Sequence, residues 1–166
     1  MLYRDRFWSL RVAAHYHNHF ARFIAMPRFV ILEHDHPYLH WDFMVEEEDS
    51  LLTWRVHSLP SILVDLSDEF LLAEKLPDHR KHYLDYEGPV SENRGSVSQW
   101  DSGDYILEIR DDNLWLGELA GSRLKGFVVL RQAKGPDDVD ENGNPIPEFW
   151  KFQFVPREEE VALDDL

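Results

Sequence analysis

The chain has 166 residues, no cysteine, a net charge of −15, 43% hydrophobic and 13% aromatic residues. That is apolar surface for one folded domain and excludes a disordered polyelectrolyte, while the missing cysteines exclude disulfides and thiolate metal sites and fit a reducing cytosol. The acidity disfavours wrapping a polyanion in a broad basic groove, so any nucleic-acid contact must be local, at a metal or a small cationic pocket.

Residues 1–25 read differently from the rest, with four arginines (Arg4, Arg6, Arg11, Arg22) against one acid, Asp5, and the run His15-Tyr16-His17-Asn18-His19. The alternating histidines could chelate a metal; an unstructured basic leader is the preferred reading, with the folded domain spanning 26–156 and starting at Met26-Pro27-Arg28. No apolar run reaches membrane-spanning length and no secretory h-region is present, so a cytoplasmic protein without a membrane partner is expected.

Arg28 to Glu33 reads as a first strand through the apolar run Phe29-Val30-Ile31-Leu32. Next comes the densest chemistry in the chain, Glu33-His34-Asp35-His36-Pro37-Tyr38-Leu39-His40-Trp41-Asp42-Phe43. From Leu39 to Val45 the pattern has a two-residue period. Leu39, Trp41, Phe43 and Val45 share one strand face; His40, Asp42 and Met44 share the other. A bend at Pro37 would fold His34 back over His40 and Asp42. Two imidazoles and one carboxylate suit Mn²⁺, Zn²⁺ or Fe²⁺ with positions left for water and substrate. The competing reading is a polar strand face with scattered histidines, a pattern that recurs by chance.

Leu51 to His57 reads as a third strand, with Leu52, Trp54 and Val56 inward and Thr53, Arg55 and His57 outward. Arg55 becomes an anion ligand if that face adjoins His40 and Asp42; otherwise it is solvated surface. Residues 58–78 read as irregular, with Pro60, Pro77 and a mixed stretch, Leu63 to Leu76, that could hold one helical turn or a short strand. The segment Asp78 to Pro89 then gathers two histidines, two tyrosines and two cations, a composition typical of a functional loop. Further strands follow: Gly95 to Trp100, a turn at Asp101-Ser102-Gly103, Tyr105 to Arg110, Leu114 to Leu119, Leu124 to Arg131 and Phe149 to Val155, where Trp150, Phe152 and Phe154 share a face. Gly135 to Pro147 reads as a mobile acidic loop, and 157–166 as a disordered acidic tail. Many short, evenly spaced strands imply an all-β antiparallel sandwich or small closed barrel with short helical or irregular insertions.

These residues resemble a known family. The series His34-Asp35-x4-His40-Trp41-Asp42-Phe43, Leu52-x-Trp54-x-Val56, Asp78-His79, Tyr83, Asp85-Tyr86-Glu87-Gly88, Gly95-x-Val97, Trp100-Asp101-x-Gly103-x-Tyr105 and Arg123-Leu124-x-Gly126 resembles the 3′-phosphoesterase domain of bacterial and archaeal DNA ligase D. The likeness runs in order over roughly residues 28–155. It implies a small closed antiparallel β-barrel that removes a 3′-ribonucleoside or 3′-phosphate from a DNA end or primer-template during break repair by non-homologous end joining. It also implies Mn²⁺ as the preferred metal and a DNA ligase acting in trans as a partner. By position, His34, His40 and Asp42 resemble the family's metal ligands, and His79 and Tyr83 resemble residues contacting the scissile phosphate.

Three family cations are replaced, by Met44, Ser58 and Leu71. Arg55, Arg80 and Arg94 are the neighbouring candidates to replace them as phosphate ligands. Met44, on the face of His40 and Asp42, is expected to point at the same pocket, and restoring arginine there to raise activity. Two rival classes remain. One is a DNA-end or partner-binding module that has lost turnover. The other is a cupin-like metalloenzyme, suggested by His34-x-His36 but lacking the glutamate that would stand where His40 does.

Overall fold

The computed structural model describes residues 26–59, 70–135 and 137–157. The basic leader with His15, His17 and His19 and nearly all of the acidic tail lie outside them. The described residues form nine strands: β1 Arg28–His34, β2 His40–Glu46, β3 Leu51–Val56, β4 Leu71–His79, β5 Gly88–Pro89, β6 Ser96–Asp111, β7 Leu114–Gly121, β8 Lys125–Lys134 and β9 Phe149–Pro156. Neighbours pair in the order β1-β2-β3-β4-β9-β8-β7-β6-β5, all antiparallel, and β1 pairs back onto β6. That last pairing closes eight strands into a barrel and removes the open edges a sheet would otherwise present. Among the described residues, one 3₁₀ turn, Lys81–Leu84, and the short β5 lie outside the closed ring. Among the described residues no helix is long and apolar enough to cross a membrane.

The interior is filled by alternate residues of all eight barrel strands. Phe29, Ile31, Phe43, Val45, Trp54, Val56, Ala73, Tyr105, Trp115, Leu119, Val128, Leu130, Trp150, Phe152 and Phe154 form one cluster, joined by Leu124. Phe43 is its hub, meeting Phe152 edge-on at 5.4 Å and Trp115 at 6.0 Å between ring centroids, the arrangement that ring quadrupoles favour.

A second cluster lies on the opposite face of β1–β3. Val30, Leu32, Met44 and Leu51 pack there against Leu84 and Val97, with Tyr83, Tyr86 and Val90 over them. The segment 81–97 therefore roofs part of the barrel's outer wall. Double-sided burial explains why Phe29 to Leu32 is a continuous apolar run instead of an alternating one.

Pins hold this roof in place. Arg28 forks onto Asp85 through both terminal nitrogens, at 3.1 and 2.7 Å. Lys81 reaches Glu46 at 3.1 Å. The Tyr86 hydroxyl donates to the Pro89 carbonyl at 2.6 Å, and Glu87 accepts the Gln99 N–H at 2.5 Å. Asp85-Tyr86-Glu87-Gly88 is thus a structural clasp.

Several expectations are corrected. The stretch read as irregular up to residue 78, with room for one helical turn or a short strand, holds the nine-residue β4, which supplies the side wall of the site. Pro77 is accommodated because the β3–β4 register shifts there, Thr53 facing Leu76 and Leu51 facing His79, and proline in a strand belongs at such irregularities. Asp101-Ser102-Gly103 is not a turn but part of the sixteen-residue β6. The buried Asp101 carboxylate accepts N–H groups from Ser102, Ser122, Arg123 and Leu124 at 2.8–3.0 Å, so its turn chemistry serves the β7–β8 connection. Leu39 precedes β2 and is 51% exposed. Thr53 is buried, its hydroxyl donating to the Leu51 carbonyl. In the acidic loop, Val139 and Pro145 form an isolated bridge around Asp140, which accepts the Asn142 and Asn144 N–H groups.

Candidate metal centre and phosphate cleft

His34 ends β1 and His40 begins β2, and the antiparallel register sets them directly opposite each other. Their rings meet edge-on at 4.8 Å. Asp42, two residues along, shares the face of His40. One potential ligand atom from each of His34, His40 and Asp42 lies within 4.8 Å of the others. His36 is exposed and outside this group, which removes the cupin-like spacing.

The hydrogen bonds around the three residues select their donor atoms. His40 is fully buried, and its Nδ1 lies 2.8 Å from the Tyr38 carbonyl. A carbonyl only accepts, so Nδ1 carries the proton and Nε2 presents its lone pair. That Nε2 is buried without a hydrogen-bond partner, a costly state unless something else fills it. The nearest carboxylate oxygen, Asp42 Oδ2, is 3.6 Å away, beyond hydrogen-bond range. Two donors each roughly 2.1 Å from a tetrahedral ion would be about 3.4 Å apart. His34 Nε2 lies 2.7 Å from the Arg94 carbonyl, so by the same reasoning its Nδ1 is the lone-pair nitrogen. Such outer partners are what fix an imidazole's tautomer for ligation. Burial alone would raise the Asp42 carboxyl, but His40 whenever its Nε2 carries a proton, and the Arg55 guanidinium in either case, outweigh it and hold it below its ordinary value. The donor set of two neutral imidazoles and an ionised carboxylate fits a divalent transition metal.

Beside the triad lies a cleft of about 320 Å³ lined by Arg55, Leu76, Pro77, Asp78, His79, Arg80, Tyr83 and Arg94. All three candidate arginines and the His79/Tyr83 pair meet in it. Arg55 stands opposite Asp42 in the β2–β3 register and donates Nε to Asp42 Oδ1 at 3.2 Å. Arg94 gives the cleft its side chain and His34 its carbonyl, so both arginines join triad and cleft. His79 Nδ1 donates to the Pro77 carbonyl at 2.9 Å, leaving Nε2 free to act, and its ring centroid is 5.7 Å from that of Tyr83. Among the described residues, the exposed Arg80 guanidinium has no hydrogen-bond or ion-pair partner.

Met44 is corrected here. It does share the face of His40 and Asp42, yet it is 2% exposed within the roofed second cluster and does not line the cleft. Leu71 packs against the barrel interior, and Ser58 is exposed just beyond β3.

The sequence reading missed the device that sets Arg94. Asp35 accepts the Ser96 N–H at 2.7 Å and its hydroxyl at 3.1 Å, and the Ser96 N–H holds the Asp35 carboxyl below its usual range. Between them Gly95 has φ +73°, and a Cβ there would collide with Asp35 Oδ1 and His36. Only glycine tolerates both the left-handed backbone and that approach. Asp35 and Gly95 stood in the family-like series, but nothing in their spacing showed that they clamp one loop to the end of β1.

Residues 32–132 match the family model of the DNA Ligase D 3′-phosphoesterase domain, an interval that contains the triad, His79, Tyr83 and all three cleft arginines. Over 114 residues the chain is 34% identical to the Multifunctional non-homologous end joining protein LigD of Mycobacterium bovis and to the Multifunctional non-homologous end joining DNA repair protein LigD of Mycobacterium tuberculosis, covering 64% of this chain and 15% of each relative. The LigD of Pseudomonas aeruginosa is 30% identical over 107 residues, 60% of this chain and 12% of that protein. The chain therefore spans about 15% of the length of the first of these relatives. By the family match over most of the barrel, this chain belongs to the DNA ligase D 3′-phosphoesterase domain family.

Proposed function

We propose that this protein is a metal-dependent phosphoesterase that acts on DNA 3′ ends in break repair by end joining, removing a 3′-ribonucleoside or a 3′-phosphate. The observation that carries the proposal is the joining of the His34/His40/Asp42 group to an arginine-lined cleft through the Arg55–Asp42 bond. Family membership supports the same reading. Mn²⁺ is the proposed ion; Zn²⁺ suits the same donors. Held by His34 Nδ1, His40 Nε2 and an Asp42 oxygen, it would supply Lewis-acid stabilisation for charge building on a phosphoryl oxygen.

The protein's own groups supply the rest. Arg55, Arg80 and Arg94 neutralise and orient the phosphate, the guanidinium being the side chain suited to forked contacts with its oxygens. Tyr83 orients an oxygen through its hydroxyl. His79, its Nδ1 proton committed to the Pro77 carbonyl, contacts the phosphate or, as the imidazolium with a second proton on Nε2, hands that proton to the leaving oxygen and reverts to the neutral ring. The proposed setting is cytoplasmic, with a DNA 3′ end or primer-template as substrate and a ligase as partner in trans.

A second reading, an end-binding module without turnover, draws on Met44, Ser58 and Leu71 at family cation positions. Incubating the protein with Mn²⁺ and a 3′-phosphorylated oligonucleotide separates the two. Release of inorganic phosphate is expected. Preferential binding of the phosphorylated end without release would leave the module reading standing.

A further inference from the structure

The outer face of β2 and β3 continues past the triad. Asp42 stands opposite Arg55, and two residues along that face come His40 on one side and the exposed His57 on the other. Tyr38, just before β2, is 60% exposed. Its ring tilts against His57 at 5.7 Å between centroids and meets His40 edge-on at 6.2 Å. The Tyr38 contact that shapes the triad comes from its backbone, the carbonyl that takes the His40 Nδ1 proton. Its side chain belongs to neither hydrophobic cluster.

We propose that Tyr38 and His57 form a stacking platform for the terminal base of a nucleic-acid 3′ end whose phosphate lies in the arginine cleft. The inference rests on the functional reading above, because it needs a phosphate at Arg55. Its own support is the order of groups along one face: guanidinium, then imidazole and phenol. A nucleotide offers the complementary order, an anion and then an apolar π-face. Arg55 and His57 are two strand positions apart, roughly 6.7 Å, a span one nucleoside bridges. Stacking on aromatic rings tolerates any base, so the platform holds an end without reading its sequence, as end trimming requires.

The test uses short oligonucleotides with a 3′-thiophosphate, which slows hydrolysis, in the presence of Mn²⁺. One carries 2-aminopurine as its terminal base, one is abasic at that position, and one ends in a 3′-hydroxyl. Affinities are measured by fluorescence anisotropy for wild type, Tyr38→Ala and Tyr38→Phe. Tyr38→Ala should weaken binding of the base-bearing end roughly 5- to 150-fold, the range of one lost base–aromatic stack. It should leave the abasic end unchanged, and Tyr38→Phe should behave as wild type. Because the side chain is exposed, thermal melts of both variants should match wild type. Equal binding of the base-bearing end by wild type and Tyr38→Ala would overturn the platform alone, as would equal losses on both ends. A wild type that does not prefer 3′-thiophosphate over 3′-hydroxyl would overturn the functional reading and the platform with it.

Discussion

Met44→Arg is the substitution on which sequence and structure disagree most. Alignment with the family invites it as a repair, since it would place a guanidinium beside Asp42. The structure argues otherwise. Met44 is 2% exposed against Val30, Leu32, Leu51, Leu84 and Val97. Glu46, the next acid on that face, is already occupied by Lys81 and by the Arg28 N–H. The aliphatic stem of arginine would replace part of the lost packing, but its charge would be left among apolar side chains. Removing a buried methionine costs about 2–5 kcal/mol, and an unpaired buried charge costs several more. Allowing for the stem, we expect a loss of about 2–5 kcal/mol, which for a chain of this size lowers the melting temperature by roughly 5–20 °C. Met44→Leu, which conserves volume, should cost less than about 1.5 kcal/mol. The assay is thermal denaturation followed by circular dichroism, alongside phosphate release from a 3′-phosphorylated oligonucleotide. A Met44→Arg protein that melts like wild type and releases phosphate tenfold faster would refute the reasoning, by showing that the cleft extends to this side chain.

Other perturbations test the scaffold. Gly95→Ala forces a side chain into a left-handed backbone, costing on the order of 1–3 kcal/mol, and displaces the loop whose Arg94 carbonyl holds His34. Calorimetry should then show Mn²⁺ binding weakened about 10- to 100-fold, and unchanged affinity would mean that this carbonyl is dispensable. Asp101→Asn turns an amide NH₂ toward a nest of four backbone donors and should cost about 2–4 kcal/mol, read as a lower melting temperature; an unshifted melt would contradict the role of Asp101 as anchor of the β7–β8 turn. Burial pushes the Tyr105 phenol up to about 12, above the value near 10 of an unfolded tyrosine. The folded state therefore keeps that proton more tightly, so its contribution to stability is full below pH 10 and is lost as pH rises through 12. Tyr105→Phe should flatten that alkaline loss, and parallel melting curves for the two proteins from pH 9 to 12 would contradict it.

Much of this architecture is legible in the chain because period-two alternation is strong where a strand faces the barrel interior: Trp41-x-Phe43-x-Val45 and Trp150-x-Phe152-x-Phe154 declare themselves. The triad is legible for the same reason, since alternation places His40 beside Asp42 and a short turn returns His34 to them. Arg55 follows from its position across from Asp42. Alternation fails where a second layer intervenes. It correctly puts Met44 on the face of Asp42, but whether that face is open or roofed depends on residues 81–97, some forty positions later in the chain. Leu71–His79 is blurred because its apolar residues do not alternate and Pro77 interrupts it, so Leu63 to Leu76 admits a helical turn as readily as a short strand. Asp101-Ser102-Gly103 misleads through turn-like composition, since the Asp101 carboxylate caps a turn twenty residues away. Arg94 looks like any surface arginine until Gly95 and Asp35 are seen to clamp its loop against β1.

The central claim is that His34, His40 and Asp42 hold a divalent ion that drives hydrolysis at a 3′ end. The most direct measurement is trimming of a primer-template bearing one 3′-ribonucleotide, with Mn²⁺ present, by wild type, His40→Ala and Asp42→Ala. Wild type should shorten the primer and release phosphate, chelation should abolish both, and each substitution should reduce the rate by at least roughly 100-fold, about 2.7 kcal/mol of transition-state stabilisation. Trimming that persists in His40→Ala and Asp42→Ala, or a wild type inert on every such end, would contradict the account.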